Sequence, residues 1–146
     1  MKKTYIFHIT NFSLMINAQS STSISFTSKG EGYTVSDNIV TISNEGTYDL
    51  SGEQTNAKII ISASCTLNLN SFSIFNIEEL TPIVINPNKE VNIILTGESS
   101  LTDSSTNENN GTIYLQSGAS LTISGNGSLN KYPNKFMVIN EKMKLH

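Results

Sequence analysis

The 146-residue chain has no arginine, one cysteine, two histidines and no apolar run long enough to span a bilayer. All nine basic residues are lysines and the net charge is −3, so a nucleic-acid face rich in arginine is excluded. The single cysteine, Cys65, permits neither an intrachain disulfide nor a cysteine-built zinc site. Its place in an apolar alternation assigns it to the core. His8 and His146 stand near opposite ends of the chain, which rules out histidine-centred triads and metal sites. No helical periodicity extends beyond one turn over residues 74–80. Only 14% of residues are charged, yet the aliphatic residues alternate regularly, as they would not in a disordered acidic tail.

What the chain does have is a repeat. The segments KIIISASCTLNLNSFSI, PIVINPNKEVNIILTGESSL and TIYLQSGASLTISGNGSL each open on an apolar, any, apolar triplet, turn through small polar residues, and resume the alternation. The triplets start at Ile59, Ile83 and Ile113, with a fourth at Met137, and the starts lie 24, 30 and 24 residues apart. Parity points Ile59/Ile61, Ile83/Ile85, Ile113/Leu115 and Met137/Ile139 inward. Second inward pairs fall at Leu67/Leu69, Ile93/Leu95 and Leu121/Ile123, and Ile74, Leu101 and Leu129 supply a third wall. Three short strands per 24-residue coil describe an all-β parallel β-helix, a solenoid with about three complete coils and an N-terminal cap. Ser62, Asn86, Gln116 and Asn140 follow the triplets at one register and should form a polar column at a corner.

Residues 1–20 read as a secretory signal, with Lys2 and Lys3 before an apolar stretch and Ala18 at the cleavage point, so the protein is expected to be secreted or displayed at the cell surface. Residues 21–31 form a Ser/Thr-rich linker, and residues 32–146 form the β-helix domain with an incomplete last coil. That last coil is expected to be uncapped and so to support a homo-oligomer or end-to-end contact.

The succession GYTVSDNIVTISNEGTYDLSG, KIIISASCTLNLNSFSI, VNIILTGESSLTDSS and LTISGNGSLN, across residues 32–130, resembles a secreted bacterial family of carbohydrate-binding parallel β-helix domains described as binding polygalacturonate and cellulose. The resemblance implies a right-handed β-helix, bound calcium, and sugar binding without cleavage. Family members continue through further Asp- and Gly-rich coils, so this chain reads as a short or truncated relative.

Candidate sites follow. The loop that lengthens the 30-residue coil carries Asp103, Asn107 and Glu108, oxygen ligands of the kind calcium takes, although their spacing completes no EF-hand loop. Between the inward triplet residues, Ile60, Val84, Tyr114 and Val138 form an outward apolar column, with Lys58 beside it. This column is a platform for a polysaccharide, an acidic plant-type glycan such as polygalacturonate given Lys58, or a strip covered by the chain's own termini or by a partner chain. Lys58, Lys89, Lys131 and Lys135 read as solvated surface groups rather than catalytic bases, and the Glu78–Glu79 pair as a loop surface. The expected function is non-catalytic polysaccharide binding, with a structural or adhesive solenoid that binds protein as the alternative.

Overall fold

A computed structural model describes residues 20–77, 80–104, 111–132, 136–138 and 143–145, with side chains as far as residue 132. The chain is all-β, and among the described residues no helix forms. In chain order the strands are β1 (Ser21–Ser23), β2 (Tyr33–Ser36), β3 (Ile39–Ile42), β4 (Gly46–Thr55), β5 (Lys58–Ile61), β6 (Cys65–Asn76) and β7 (Ile83–Ile85). They continue as β8 (Glu90–Thr96), β9 (Glu98–Asp103), β10 (Ile113–Leu115), β11 (Ser120–Gly125), β12 (Ser128–Tyr132), β13 (Phe136–Val138) and β14 (Met143–Leu145).

Two sheets enclose one core. The first runs β1-β4-β6-β8-β11-β14, and the second runs β2-β3-β5-β7-β10-β13. Every pair is parallel except β2 with β3. The strands β4 and β6 are long enough to serve two walls. The first half of β6 pairs with β8, and its second half pairs with β9, which in turn pairs with β12.

In-register parallel pairing stacks like on like, because paired residues point to the same face. In the second sheet Val40, Ile59, Ile83 and Ile113 form one inward column, and Ile42, Ile61, Ile85 and Leu115 form the next. All eight are fully buried. In the first sheet, Tyr48, Leu67, Ile93 and Ile123 stack, beside Cys65, Val91 and Leu121. Cys65 is therefore a core residue, and burial pushes its thiol up to about 12.

The stacking corrects the expected register in three places. Leu121 and Ile123 lie against Val91 and Ile93, not against Ile93 and Leu95, so Gly125 is the residue that meets Leu95. In the third wall Leu101 pairs with Lys131, whereas Leu129 pairs with Ser99. Met137 pairs with Tyr114, and Phe136 and Val138 take the positions opposite Ile113 and Leu115. Alternation does not fix how far one strand slides against the next, so the two-residue slips at Leu121 and Leu129 are invisible to it; at Met137 the slip is one residue and reverses parity, because the continuous apolar run FMVI alternates with nothing.

Corners are set by backbone conformation. Between β4 and β6 the register shifts at Ser51/Gly52, leaving Ser71 unpaired at φ 48 as a bulge that turns the chain onto the third wall. Gly97 occupies the corresponding corner at φ 72, and a Cβ there would collide with Ser71. The polar corner column is present in part: Asn86 Nδ2 donates to Ser62 Oγ at 2.9 Å, while the backbone N–H groups of Asn86 and Gln116 donate to the Ile61 and Ile85 carbonyls. Asn140 lies outside the described residues.

The N-terminal side differs from expectation. Residues 21–31 are packed rather than linker-like: β1 pairs with β4, and Phe26 is buried, its ring stacked on Phe72 at 6.1 Å. The Tyr33 hydroxyl accepts from the Ser25 amide and donates to the Ser23 carbonyl, tying this segment down. The β2–β3 pair is a two-residue hairpin. Asp37 and Asn38 have φ of 49° and 62°, the paired positive values of a type I′ turn. Likewise, residues 74–76 continue β6 instead of opening a helical turn.

Candidate functional site

The outward side of the first sheet carries rows of polar groups. One row is Ser21, Thr47, Thr66, Asn92 and Thr122; the next is Ser23, Asp49, Asn68, Ile94 and Ser124; a third is Ser51, Asn70 and Thr96. Part of these rows lines two grooves. Glu45, Thr47, Ser64, Thr66, Glu90 and Asn92 form one, and Ser23, Asp49, Ser51, Asn68, Asn70 and Thr96 form the other.

Asp49 organises the second groove. Its Oδ1 accepts from Asn68 Nδ2 at 2.7 Å and its Oδ2 accepts from the Ser21 hydroxyl. Carboxylate acceptors in such pairs form the stronger class of hydrogen bond, and they fix the Asn68 amide in one orientation. Ile94, 40% exposed, sits in the same row as an apolar patch amid amides and hydroxyls. In the first groove the Ser64 hydroxyl accepts from the Glu90 amide. The grooves' ionisable side chains, apart from the buried Cys65 thiol, are the carboxylates of Glu45, Asp49 and Glu90.

The expected site residues lie elsewhere. Ile60, Val84 and Tyr114 do share one column, with Thr41 before and Met137 after. Lys58 is two residues from Ile60 on β5, at the same parity. In this column Val84 is 6% exposed, and Lys58, Ile60 and Tyr114 are half-buried, as Asp49 and Asn68 are in the groove row. Asp103, on β9, is fully buried and pairs in register with Asn76, facing the interior. Asn107, Glu108, Glu78, Glu79, Lys135 and both histidines lie outside the described residues. Among the described residues no group of three or more His, Cys, Asp or Glu side chains comes together as a metal site. Lys131 occupies an inward register position, where burial lowers its ammonium pKa.

The polar grooves carried a sequence signal that residue chemistry alone did not single out. Threonine, asparagine and serine recur at alternate positions, Thr66, Asn68 and Asn70 on β6 and Asn92 and Thr96 on β8, between the inward aliphatics. Alternation identifies them as outward-facing; only the register shows that they form continuous rows with Asp49.

No curated protein matches the chain, and no solved structure matches it. A family model described as carbohydrate-binding domain-containing protein matches residues 36–145, a span that includes the stacked strands and most of the groove residues. The chain therefore belongs to the carbohydrate-binding domain-containing family.

Proposed function

We propose that the protein is a non-catalytic polysaccharide-binding module and that the glycan lies along the grooves and polar rows on the outward face of the first sheet. The observation that carries this reading is the row Ser23, Asp49, Asn68, Ile94 and Ser124. Sugar hydroxyls need both donors and acceptors held in place, and sugar C–H faces need an apolar contact. Asp49 and Asn68, locked to each other at 2.7 Å, supply the first, and Ile94 supplies the second.

The chain path supports a parallel β-helix: each strand of the second sheet from β3 to β13 pairs in parallel with its equivalent in the next pass. Along each row, perpendicular to the strands, side chains then repeat at about 4.8 Å, a spacing that suits an extended glycan lying along the row. An acidic glycan such as polygalacturonate, expected from Lys58, would meet the carboxylates of Glu45, Asp49 and Glu90 here. Neutral chains suit this face better. Secretion or surface display fits a polysaccharide ligand, and calcium held by Asp103, Asn107 and Glu108 would be a separate structural contribution.

Affinity electrophoresis through gels containing hydroxyethylcellulose, galactomannan or polygalacturonate, each with and without a chelator, tests the reading. Retardation in at least one neutral gel is expected. Passage unretarded through every gel would remove the polysaccharide reading, and unsaturated product released from polygalacturonate would contradict a non-catalytic role. Loss of retardation with chelator alone would implicate the metal.

A further inference from the structure

We propose a second carbohydrate-contact surface on the third wall, where Phe75 and Tyr132 form a stacking platform for an extended neutral polysaccharide running across the strands. The proposal rests on the polysaccharide reading above but concerns different residues.

Register pairing sets Thr55, Phe75, Thr102 and Tyr132 in one outward column on β4, β6, β9 and β12. Phe75 is 51% exposed and Tyr132 is 70% exposed. Among the described residues four large apolar or aromatic side chains are exposed, and the two aromatic ones share this column. Folding gains nothing from a phenylalanine ring held half in water at the centre of a regular strand, where a threonine would pair equally well. Their places are two strands apart, roughly 9.6 Å at ordinary strand spacing. That separation matches alternate pyranose rings of an extended chain, with Thr102 beneath the intervening ring.

The flanking row has the other chemistry a sugar requires. Glu53, Ser73, Ser100 and Asn130 stack beside the aromatic column, and Asn130 Nδ2 donates to Glu98 Oε1 at 2.7 Å, which orients the amide. An aromatic face for C–H groups beside a rail of hydroxyls and an amide is complementary to both surfaces of a sugar ring. The charged groups at outward positions of this wall are the carboxylates of Glu53 and Glu98, so charge complementarity favours a neutral chain over an acidic one. The wall is also continuous with the grooves. Asn68 and Asn70 on the first half of β6 face the grooves, Ser73 and Phe75 on its second half face this wall, and the Ser71 bulge divides them.

Affinity electrophoresis of the full chain in hydroxyethylcellulose gels, with thermal unfolding in parallel, tests the platform. Phe75→Ala and Tyr132→Ala should each weaken apparent affinity about tenfold with unchanged melting midpoints, because neither ring is part of the core. Phe75→Tyr and Tyr132→Phe, which keep the rings, should retain wild-type retardation; a lost affinity in these would count against stacking. If the double alanine variant runs like wild type while Asn68→Ala loses retardation, the platform is wrong and the groove reading stands. If wild type is unretarded in every neutral gel, the platform falls, and if polygalacturonate also fails to retard it, the polysaccharide reading falls with it.

Discussion

At the scale of single residues, the buried polar groups hold the corners, and their contributions can be measured. Asn76 is fully buried; its Oδ1 accepts from the Ala57 amide at 2.8 Å, and its Nδ2 donates to the carbonyls of Ala57 and Leu80. Removing it leaves buried backbone groups without partners. Asn76→Ala should therefore destabilise the fold by about 3 kcal/mol, read as a lower urea midpoint at constant slope. Cys65 gives a second test. With its thiol pushed up to about 12 from 9.0, it should resist alkylation at neutral pH in the folded state and react once the chain is unfolded. The same shift has a sign. The folded state holds this proton more tightly than the unfolded chain, so the stabilisation is complete below pH 9 and is lost as pH rises toward 12. Burial raises the Tyr48 hydroxyl too, with smaller contributions from Cys65 and Glu31, so its loss of stability above pH 10 adds in the same direction. Melting midpoints should fall through this alkaline window, less steeply in Cys65→Ala. Such residues are hard to recognise in sequence, because asparagine is an ordinary turn residue; only its burial and partners distinguish Asn76 from Asn88, which lies in an exposed turn.

At the scale of elements, strand parity is legible where apolar and polar residues alternate but is lost in the run FMVI at Met137, and register is not legible. The triplets at Ile59, Ile83 and Ile113 announce themselves because a half-buried strand must alternate, and all six of their inward side chains are fully buried. Gly125 shows why the next step fails. Its position resembles any turn glycine, yet it pairs with Leu95 inside the first sheet at φ 107, and a Cβ would run into the Leu95 backbone. Gly52 has a similar positive φ of 82 but open space around it. Gly52→Ala should accordingly cost about 1 kcal/mol, for backbone conformation alone, and Gly125→Ala about 3 kcal/mol or more. Equal losses in chemical unfolding would contradict the close stacking of β11 on β8. The β2–β3 hairpin had a readable signal in the Asp37-Asn38 dipeptide between two alternating runs. Segment 21–31 had less: its serines and threonines suit a linker and a sheet edge equally, and Phe26 alone hints at burial.

At the scale of the whole molecule, function depends on which outward faces stay open. Sequence chemistry favours the apolar column of Ile60, Val84 and Tyr114, because exposed apolar residues are the usual mark of a contact surface. In the folded chain Val84, at the centre of that column, is 6% exposed. The polar rows run from half-buried Asp49 and Asn68 to exposed Asn70, Asn92, Ile94 and Thr96, and all of these lie within the span matched by the family model. No single residue in them is distinctive, and their meaning comes from strands far apart in sequence being brought side by side. Amide spectra of the isotope-labelled protein, titrated with a neutral oligosaccharide cut from a retained polymer, test this placement most directly. Shifts are predicted to concentrate at Asp49, Asn68, Asn70 and Asn92, including the asparagine side-chain amides. Shifts confined to Lys58, Ile60, Val84 and Tyr114, with the groove signals unmoved, would contradict it.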